Sequence, residues 1–358
     1  MEKFYKNAYE TGKQFTWENR AMKKLTLLRL KKNLFGGAER YLERLSNELK
    51  KQNIDYEIIY CNCPKLMPSF LKALWYNLQV CLNKKNKFYF SLERVTCPDI
   101  YRAGDGVHKA FLETKKSINP LHFIYLFIEK RMFKNAKKII ANSNMVKNQI
   151  IKYYGIDKNK IEVIYNGIPL KEKVDFSDVK KEFNLKNEKI ILYVGSGFER
   201  KGVKEALEII AKVKRDFKFI VIGKEKKIDF YKNYTKQLDV EKKVIFTGAR
   251  SDVDKFYSMA DIFLFPTKYE PFSNVILEAM NFECVVFTTK QNGVSEILPE
   301  FNVMENSNDL SVIDKINMLL ENDKILNEKK QQMKEISKKF SIEENVKKTL
   351  KVINETLN

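Results

Sequence analysis

The stretch Glu270-Pro271-Phe272-Ser273-Asn274-Val275-Ile276-Leu277-Glu278-Ala279 sets two carboxylates either side of a proline and two residues that favour helix starts. The apolar run Ile262–Phe265 reads as a strand that ends at Pro266, and Ser273 or Asn274 is placed to cap a new helix. Glu278 then falls about one turn inside that helix, and Glu270 lies on the loop before it. Backbone N–H donors between two acceptor-only carboxylates suit a ligand with both phosphate and sugar hydroxyls. A carboxylate at a helix start can also do no more than complement the helix dipole.

Three other strand-to-helix junctions carry unusual residues. Gly36-Gly37, at the head of a helix, lets the backbone approach an anion closely, or only makes a tight turn. Gly195-Ser196-Gly197-Phe198-Glu199-Arg200-Lys201-Gly202 adds adjacent cations to a glycine-rich loop. Such cations can neutralise a diphosphate or simply be solvated in a basic protein. Gly104-Asp105-Gly106 reads as a turn at a strand end on the edge facing the second half of the chain. His108, just beyond it, and His122 are the two histidines, and both read as surface or packing residues.

The elements that must position these residues repeat one rhythm: a short β-branched or aromatic run, then a longer amphipathic segment. Strands are expected at Leu25–Leu30, Tyr56–Tyr60, Lys87–Leu92, Ile100–Arg102, Lys138–Asn142 and Ile161–Tyr165. In the second half they fall at Lys189–Gly195, Lys218–Ile222, Val244–Thr247, Ile262–Phe265 and Val285–Thr288. Strands alternating with helix-length segments predict an α/β protein with parallel sheets covered on both faces. With 358 residues the chain has room for two domains. The expected division is 22–168, a hinge at 169–188, 189–340, and a final helix over 341–358 that returns to the first domain. Met1–Ala21 lacks pattern and reads as a disordered extension or a start placed too early.

Composition narrows the class. A formal charge of +20 draws the chain to polyanions: nucleic acid, an anionic membrane or a phosphorylated small molecule. The lysines are spread over most helices with no recognition motif, which argues against nucleic acid. No apolar run approaches the ~18 residues that span a bilayer. The first thirty residues lack the apolar centre of a secretory signal, so a cytoplasmic location is expected. The five cysteines, irregularly spaced, read as reduced thiols; Cys61 and Cys63 have no second pair or nearby histidine to suggest zinc.

The order of these motifs resembles the retaining glycosyltransferases of the GT-B architecture, family 4, which have two Rossmann-like domains facing across a cleft. The resemblance rests on EPFSNVILEA, Gly36-Gly37, Arg200-Lys201-Gly202, Tyr165-Asn166-Gly167-Ile168-Pro169 and Gly293-Val294-Ser295-Glu296, and it covers the chain from Met22 onward. Within the family, YRAGDGVH and GSGFERKGV look most similar to lipopolysaccharide core hexosyltransferases. The resemblance implies catalytic roles for Asp105, Arg200, Lys201 and Glu270. Arg200 and Lys201 would neutralise the diphosphate of a nucleotide-sugar donor, helped by Lys224 and Lys226. Glu278 would hold the ribose and Glu270 a hydroxyl of the donor sugar, beside the amides of Phe272, Ser273, Asn274 and Val275. Gly36 and Gly37 would bring amides to the distal phosphate, and Asp105 would lie near the acceptor. Ser196 departs from the pattern, standing where many members carry arginine, and puts the Arg200 contact in its place. No Asp-x-Asp pair stands in a suitable loop, since Asp252-Val253-Asp254 opens a helix. Transfer without a metal cofactor is therefore expected.

His108–Lys138 carries eight cations against Glu113 and Glu129, interleaved with Phe111, Phe123, Tyr125, Phe127 and Phe133. That composition fits either an anionic membrane surface or a core helix with a solvated lysine face. A lipid-linked saccharide is the expected acceptor. The rival readings are a sugar-nucleotide epimerase of the same architecture, a silent sugar-nucleotide sensor and a polyanion binder.

Overall fold

The computed structural model describes residues 23–30, 37–64, 66–114 and 119–357; Met1–Ala21 and Gly36 lie outside them. Two six-stranded sheets, parallel at every pairing, form two lobes. The first holds β1 (Lys24–Leu28), β2 (Tyr56–Ile59), β3 (Lys87–Ser91), β4 (Ile100–Ala103), β5 (Lys138–Ala141) and β6 (Ile161–Val163) in the order β2-β1-β3-β4-β5-β6. The second holds β7 (Lys189–Val194), β8 (Phe217–Ile222), β9 (Val244–Gly248), β10 (Ile262–Phe265), β11 (Val285–Thr289) and β12 (Val303–Met304) in the order β12-β11-β10-β7-β8-β9. Central strands such as β10 (IFLF) are buried throughout, as a sheet covered on both faces requires. The expected α/β class with two Rossmann-like domains is the one observed.

Helices cover both sheets. In the first lobe these are α1 (Gly37–Lys51), α2 (Ser69–Leu82), α3 (His108–Glu113), α4 (Pro120–Asn135) and α5 (Asn144–Tyr154). In the second they are α6 (Ser177–Glu182), α7 (Phe198–Lys201), α8 (Val203–Ile210), α9 (Ile228–Gln237), α10 (Val253–Met259), α11 (Asn274–Asn281), α12 (Val312–Glu321) and α13 (Asp323–Ser337). The last helix, α14 (Ile342–Leu357), buries Ile342, Val346, Leu350 and Ile353 in the core of the first lobe with Leu25, Leu27, Leu42 and Leu45. That spacing is one helical face.

The chain crosses between lobes twice, side by side. Ile168 N–H donates to Phe340 O and Ile342 N–H to Ile168 O. A Cβ on Gly167 would fall 2.3 Å from Ser341 O, so only glycine lets the two crossings touch.

One expectation is corrected. Cys81, at the end of α2, is joined by a disulfide to Cys97, ahead of β4. Sequence spacing does not reveal this pairing, because the helix end and the loop meet only once β3 has folded between them. Cys61, Cys63 and Cys284 are thiols, and burial with Cys63 beside it pushes Cys61 up to about 11. Among the described residues no helix is long and apolar enough to cross a membrane.

Candidate active site

In the second sheet the strand order reverses between β7 and β10, which pair directly. Ligands of doubly wound sheets bind beyond the strand ends at such a switch point. The loop after β7 carries Ser196 and leads into α7, which carries Arg200 and Lys201; the loop after β10 carries Glu270. Arg200 Nη1 donates to Tyr269 O and, at 3.0 Å, to Glu270 Oε2, while Lys201 Nζ lies 3.8 Å from the same oxygen. Two cations thus share one carboxylate at the mouth of the cleft. Gly202 ends α7 with φ +79°, where a Cβ would fall 1.9 Å from Pro266 O, so this glycine permits the cationic turn to lie against the β10 loop.

Ser196 bears no charge to offer, but its Oγ accepts from Lys224 N at 3.0 Å and ties the β7 loop to the β8 loop. Lys224 and Lys226 are exposed there. Glu225 between them accepts from Phe198 N and Lys227 N, so it braces α7 from the same loop.

Glu270 is fixed by a bridge to Asn292: its N–H donates to Gln291 O and its carbonyl accepts from Gly293 N. Phe272 is buried and packs on Tyr165 at 5.6 Å between ring centres. Ser273 occupies the N-cap position of α11 but makes no capping bond, and Asn274 is the first helical residue, correcting the expectation that one of them caps. Asn274 Oδ1 accepts instead from Asn166 Nδ2 at 2.7 Å, and Asn166 Oδ1 accepts from Arg102, whose guanidinium lies 3.6 Å over the Tyr41 ring. Val275 is half-buried beside it. Glu278, one turn into α11, meets Arg44 of α1 at 3.1 Å, with Tyr257 OH 3.4 Å from its other oxygen.

From the first lobe, Gly37 opens α1, and Glu39 behind it pairs with Arg29, which also holds Glu93. Burial raises the Glu93 carboxyl above its usual range despite that arginine. Asp105 is exposed at the tip of a turn held from both sides: Gly104 O accepts from Asn142 and Gly106 O from Arg94. Against the cost of its burial, Glu93 first and then Glu39 and Asp105 hold the Arg29 guanidinium above its usual range. The two histidines are a pair, with His108 Nε2 and His122 Nδ1 3.0 Å apart, which the sequence did not indicate. His108 N also donates to Glu129, a fully buried carboxylate that binds Arg94 and Tyr154 too.

The lobes face each other through these loops. Ser143 Oγ donates to Pro271 O at 2.9 Å, and Tyr269 OH to Gln149 at 3.0 Å. Gly106, with φ +70°, is packed so closely that a Cβ would fall 2.6 Å from Pro271 Cγ. Glu296 accepts from Asn144 N at 2.8 Å, Met145 N at 2.6 Å and Tyr165 OH at 3.1 Å, and so caps α5 from the opposite lobe. The structure therefore brings Arg200, Lys201 and Glu270 together and sets Glu278 against Arg44 of the facing lobe. Arg44, Asn166, Tyr269 and the role of Glu296 were missed as site residues; Asn166 and Glu296 stood within noticed motifs, whereas Arg44 sits mid-helix with no local signal. Among the described residues no cluster of three or more His, Cys, Asp or Glu side chains could hold a metal.

Two facing α/β lobes, with a cationic turn on Glu270 at the second switch point, form the GT-B architecture. Residues 175–340 match the model for glycosyl transferases group 1 and residues 106–172 that for glycosyltransferase family 4, and the chain belongs to this group 1/family 4 class. It is 28% identical over 230 residues to a Campylobacter jejuni protein, the N-acetylgalactosamine-N,N'-diacetylbacillosaminyl-diphospho-undecaprenol 4-alpha-N-acetylgalactosaminyltransferase, a match covering 63% of this chain and 62% of the relative. The chain thus spans less than two-thirds of the length of such curated relatives. Its fold is that of WaaG, a glycosyltransferase involved in lipopolysaccharide biosynthesis (TM-score 0.79, 19% identity, 92% of this chain and 99% of that one). The fold is also that of Anabaena HepE in complex with UDP and glucose (TM-score 0.73, 17% identity, 93% and 100%).

Proposed function

We propose that this chain transfers a hexose, with retention, from a uridine-diphosphate sugar to a lipid-linked glycan of the lipopolysaccharide-core kind, at the inner face of the cytoplasmic membrane. The observation that carries the reading is the convergence of Arg200 and Lys201 on Glu270 at the β7/β10 switch point. The Campylobacter relative's name specifies a diphospho-undecaprenol acceptor, and HepE holds UDP and glucose, which supports the donor and acceptor classes.

Leaving of the diphosphate builds negative charge on its oxygen and positive charge on the anomeric carbon. Arg200 and Lys201, preplaced and partly buried, stabilise the first without reorganising, usually the largest catalytic contribution. Glu270 releases its share of those cations to the diphosphate and accepts from a sugar hydroxyl. Glu278 accepts from the ribose, and the amides at the start of α11 face the anion. Lys224 and Lys226 border the phosphates, Gly37 supplies an amide from the first lobe, and Asp105 lies on the acceptor side. The acceptor hydroxyl attacks on the face the diphosphate leaves and gives its proton to the departing diphosphate oxygen, with no metal cofactor.

The test is a panel of labelled UDP-sugars, hexoses and N-acetylhexosamines alike, with and without a lipid-linked acceptor and a chelator. Transfer of a hexose that survives chelation supports the reading. Isomerised donor instead makes the chain an epimerase, binding alone makes it a sensor, and abolition by the chelator removes the metal-free step. Disulfides such as Cys81–Cys97 are rare in reducing compartments. Trapping the thiols in cells reads the location, because a protein held at the cytoplasmic face should yield Cys81 and Cys97 mainly as thiols.

A further inference from the structure

Among the described residues, seven of the twelve exposed large apolar side chains lie on two neighbouring helices. Leu71, Leu74, Trp75, Leu78 and Leu82 all lie on α2, and Phe123 and Phe127 lie on α4, which packs beside it. Ala73, Tyr76 and Val80 already supply the buried face of α2. The exposed set repeats at helical spacing, so it forms a second apolar stripe down the outside of the same helix. Leu78 is 54% exposed, Leu82 75%, Trp75 45%, Phe123 68% and Phe127 51%. Single exposed leucines need no explanation, but a continuous stripe of this size marks an interaction surface.

Charge chooses the partner. The only charged residue in α2 is Lys72. On α4, Lys130, Arg131 and Lys134 are exposed, while its single acid, Glu129, is fully buried against Arg94. Neither helix therefore shows the solvent a carboxylate. Arg131 lies 4.3 Å over the Phe127 ring, a cation carried on an aromatic edge. A second copy of the chain would set these cations against their own kind with no acid to meet them. An anionic bilayer offers hydrocarbon for the stripe and phosphates for the rim.

We propose that the outer face of α2, flanked by α4, is the surface on which this chain seats itself on an anionic lipid bilayer, with Trp75, Leu78 and Leu82 entering the acyl boundary. The proposal rests on the reading that the acceptor is lipid-linked, and it places the depth of insertion on α2 rather than within His108–Lys138. In that segment Phe133 is core and Lys115 and Lys116 lie outside the described residues. Tyr76 OH of α2 donates to Ile59 O of β2 at 2.7 Å and Tyr89 OH of β3 to Val80 O of α2 at 2.7 Å, so a seated helix orients the whole lobe and its cleft.

The chain has two tryptophans, Trp17 and Trp75, so Trp17→Phe leaves Trp75 as the single reporter. The full chain with this change is mixed with phosphatidylcholine vesicles, with and without phosphatidylglycerol, some carrying brominated acyl chains. Expected are sedimentation with the anionic vesicles alone, weakening with salt, a blue shift of Trp75 emission and its quenching by the brominated chains. Leu78→Glu with Leu82→Glu should lower the partition coefficient by at least about tenfold while the melting temperature holds. Binding to anionic vesicles with Trp75 unquenched and the double variant unaffected would overturn the proposal for α2 and leave the membrane reading standing. No binding of the unmodified chain to any vesicle would remove both. A doubled mass in light scattering that collapses in the double variant would assign the stripe to a second copy and overturn it too.

Discussion

Arg44 of the first lobe and Glu278 of the second are joined across the cleft, Nη2 to Oε1 at 3.1 Å, both side chains less than a fifth exposed. The carboxylate proposed for the ribose is therefore aimed by a residue from the opposite domain. Glu278→Gln keeps the shape and removes the charge, and should weaken UDP binding about tenfold in calorimetry. An unchanged affinity takes the ribose contact away from Glu278. A double-mutant cycle of Arg44→Ala and Glu278→Ala on thermal stability should give a coupling of about 1 kcal/mol, and zero would mean that the pair does not tie the lobes.

Arg200→Ala removes the cation nearest the leaving group. Turnover with the productive donor should fall more than about tenfold (~1.4 kcal/mol), with little change in melting temperature because the side chain is a third exposed. A loss smaller than that denies it the role.

Gly106 and Gly155 share a left-handed backbone, with φ +70° and +62°, but differ in surroundings. A Cβ at 106 meets Pro271 Cγ at 2.6 Å and Tyr269 OH at 2.8 Å, both from the second lobe, whereas at 155 nothing lies within 4 Å. Gly155→Ala should cost about 1 kcal/mol of backbone strain alone. Gly106→Ala should cost that and also depress turnover, since it pries the lobes apart at the cleft. Equal effects of the two on stability and turnover would contradict the close approach.

Burial, with Arg94 and His122 adding to it, pushes His108 from 6.5 down to about 4. Between those values the unfolded chain binds a proton at this histidine and the folded chain does not. Stability from this group is full above about pH 6.5 and is lost as pH falls toward 4. The melting temperature should decline through that window, and His108→Gln should flatten the decline. A variant with the same slope as the unmodified chain would place the acid sensitivity elsewhere.

Glu296→Ala leaves the first two amides of α5 without their cap and should cost about 0.5–2 kcal/mol. Glu296→Gln, which still accepts, should recover much of it in thermal melts. No loss on alanine substitution would mean that water replaces the carboxylate.

The strands and most helices were legible in the sequence because burial on both faces of a parallel sheet imposes apolar runs, and covering helices impose their own period. Arg200, Lys201, Glu270 and Glu278 were legible for a related reason: each sits at a strand-to-helix junction, where glycine, proline and helix-start residues leave a local mark. Arg44, the His108–His122 pair and the Cys81–Cys97 bridge left none. Their partners lie 234, 14 and 16 residues away, and nothing local to either member of a pair requires the other. Sequence periodicity decides which face of a helix is apolar. Only the packed fold decides which apolar face is left over, as on α2, because burial depends on what the rest of the chain brings alongside it.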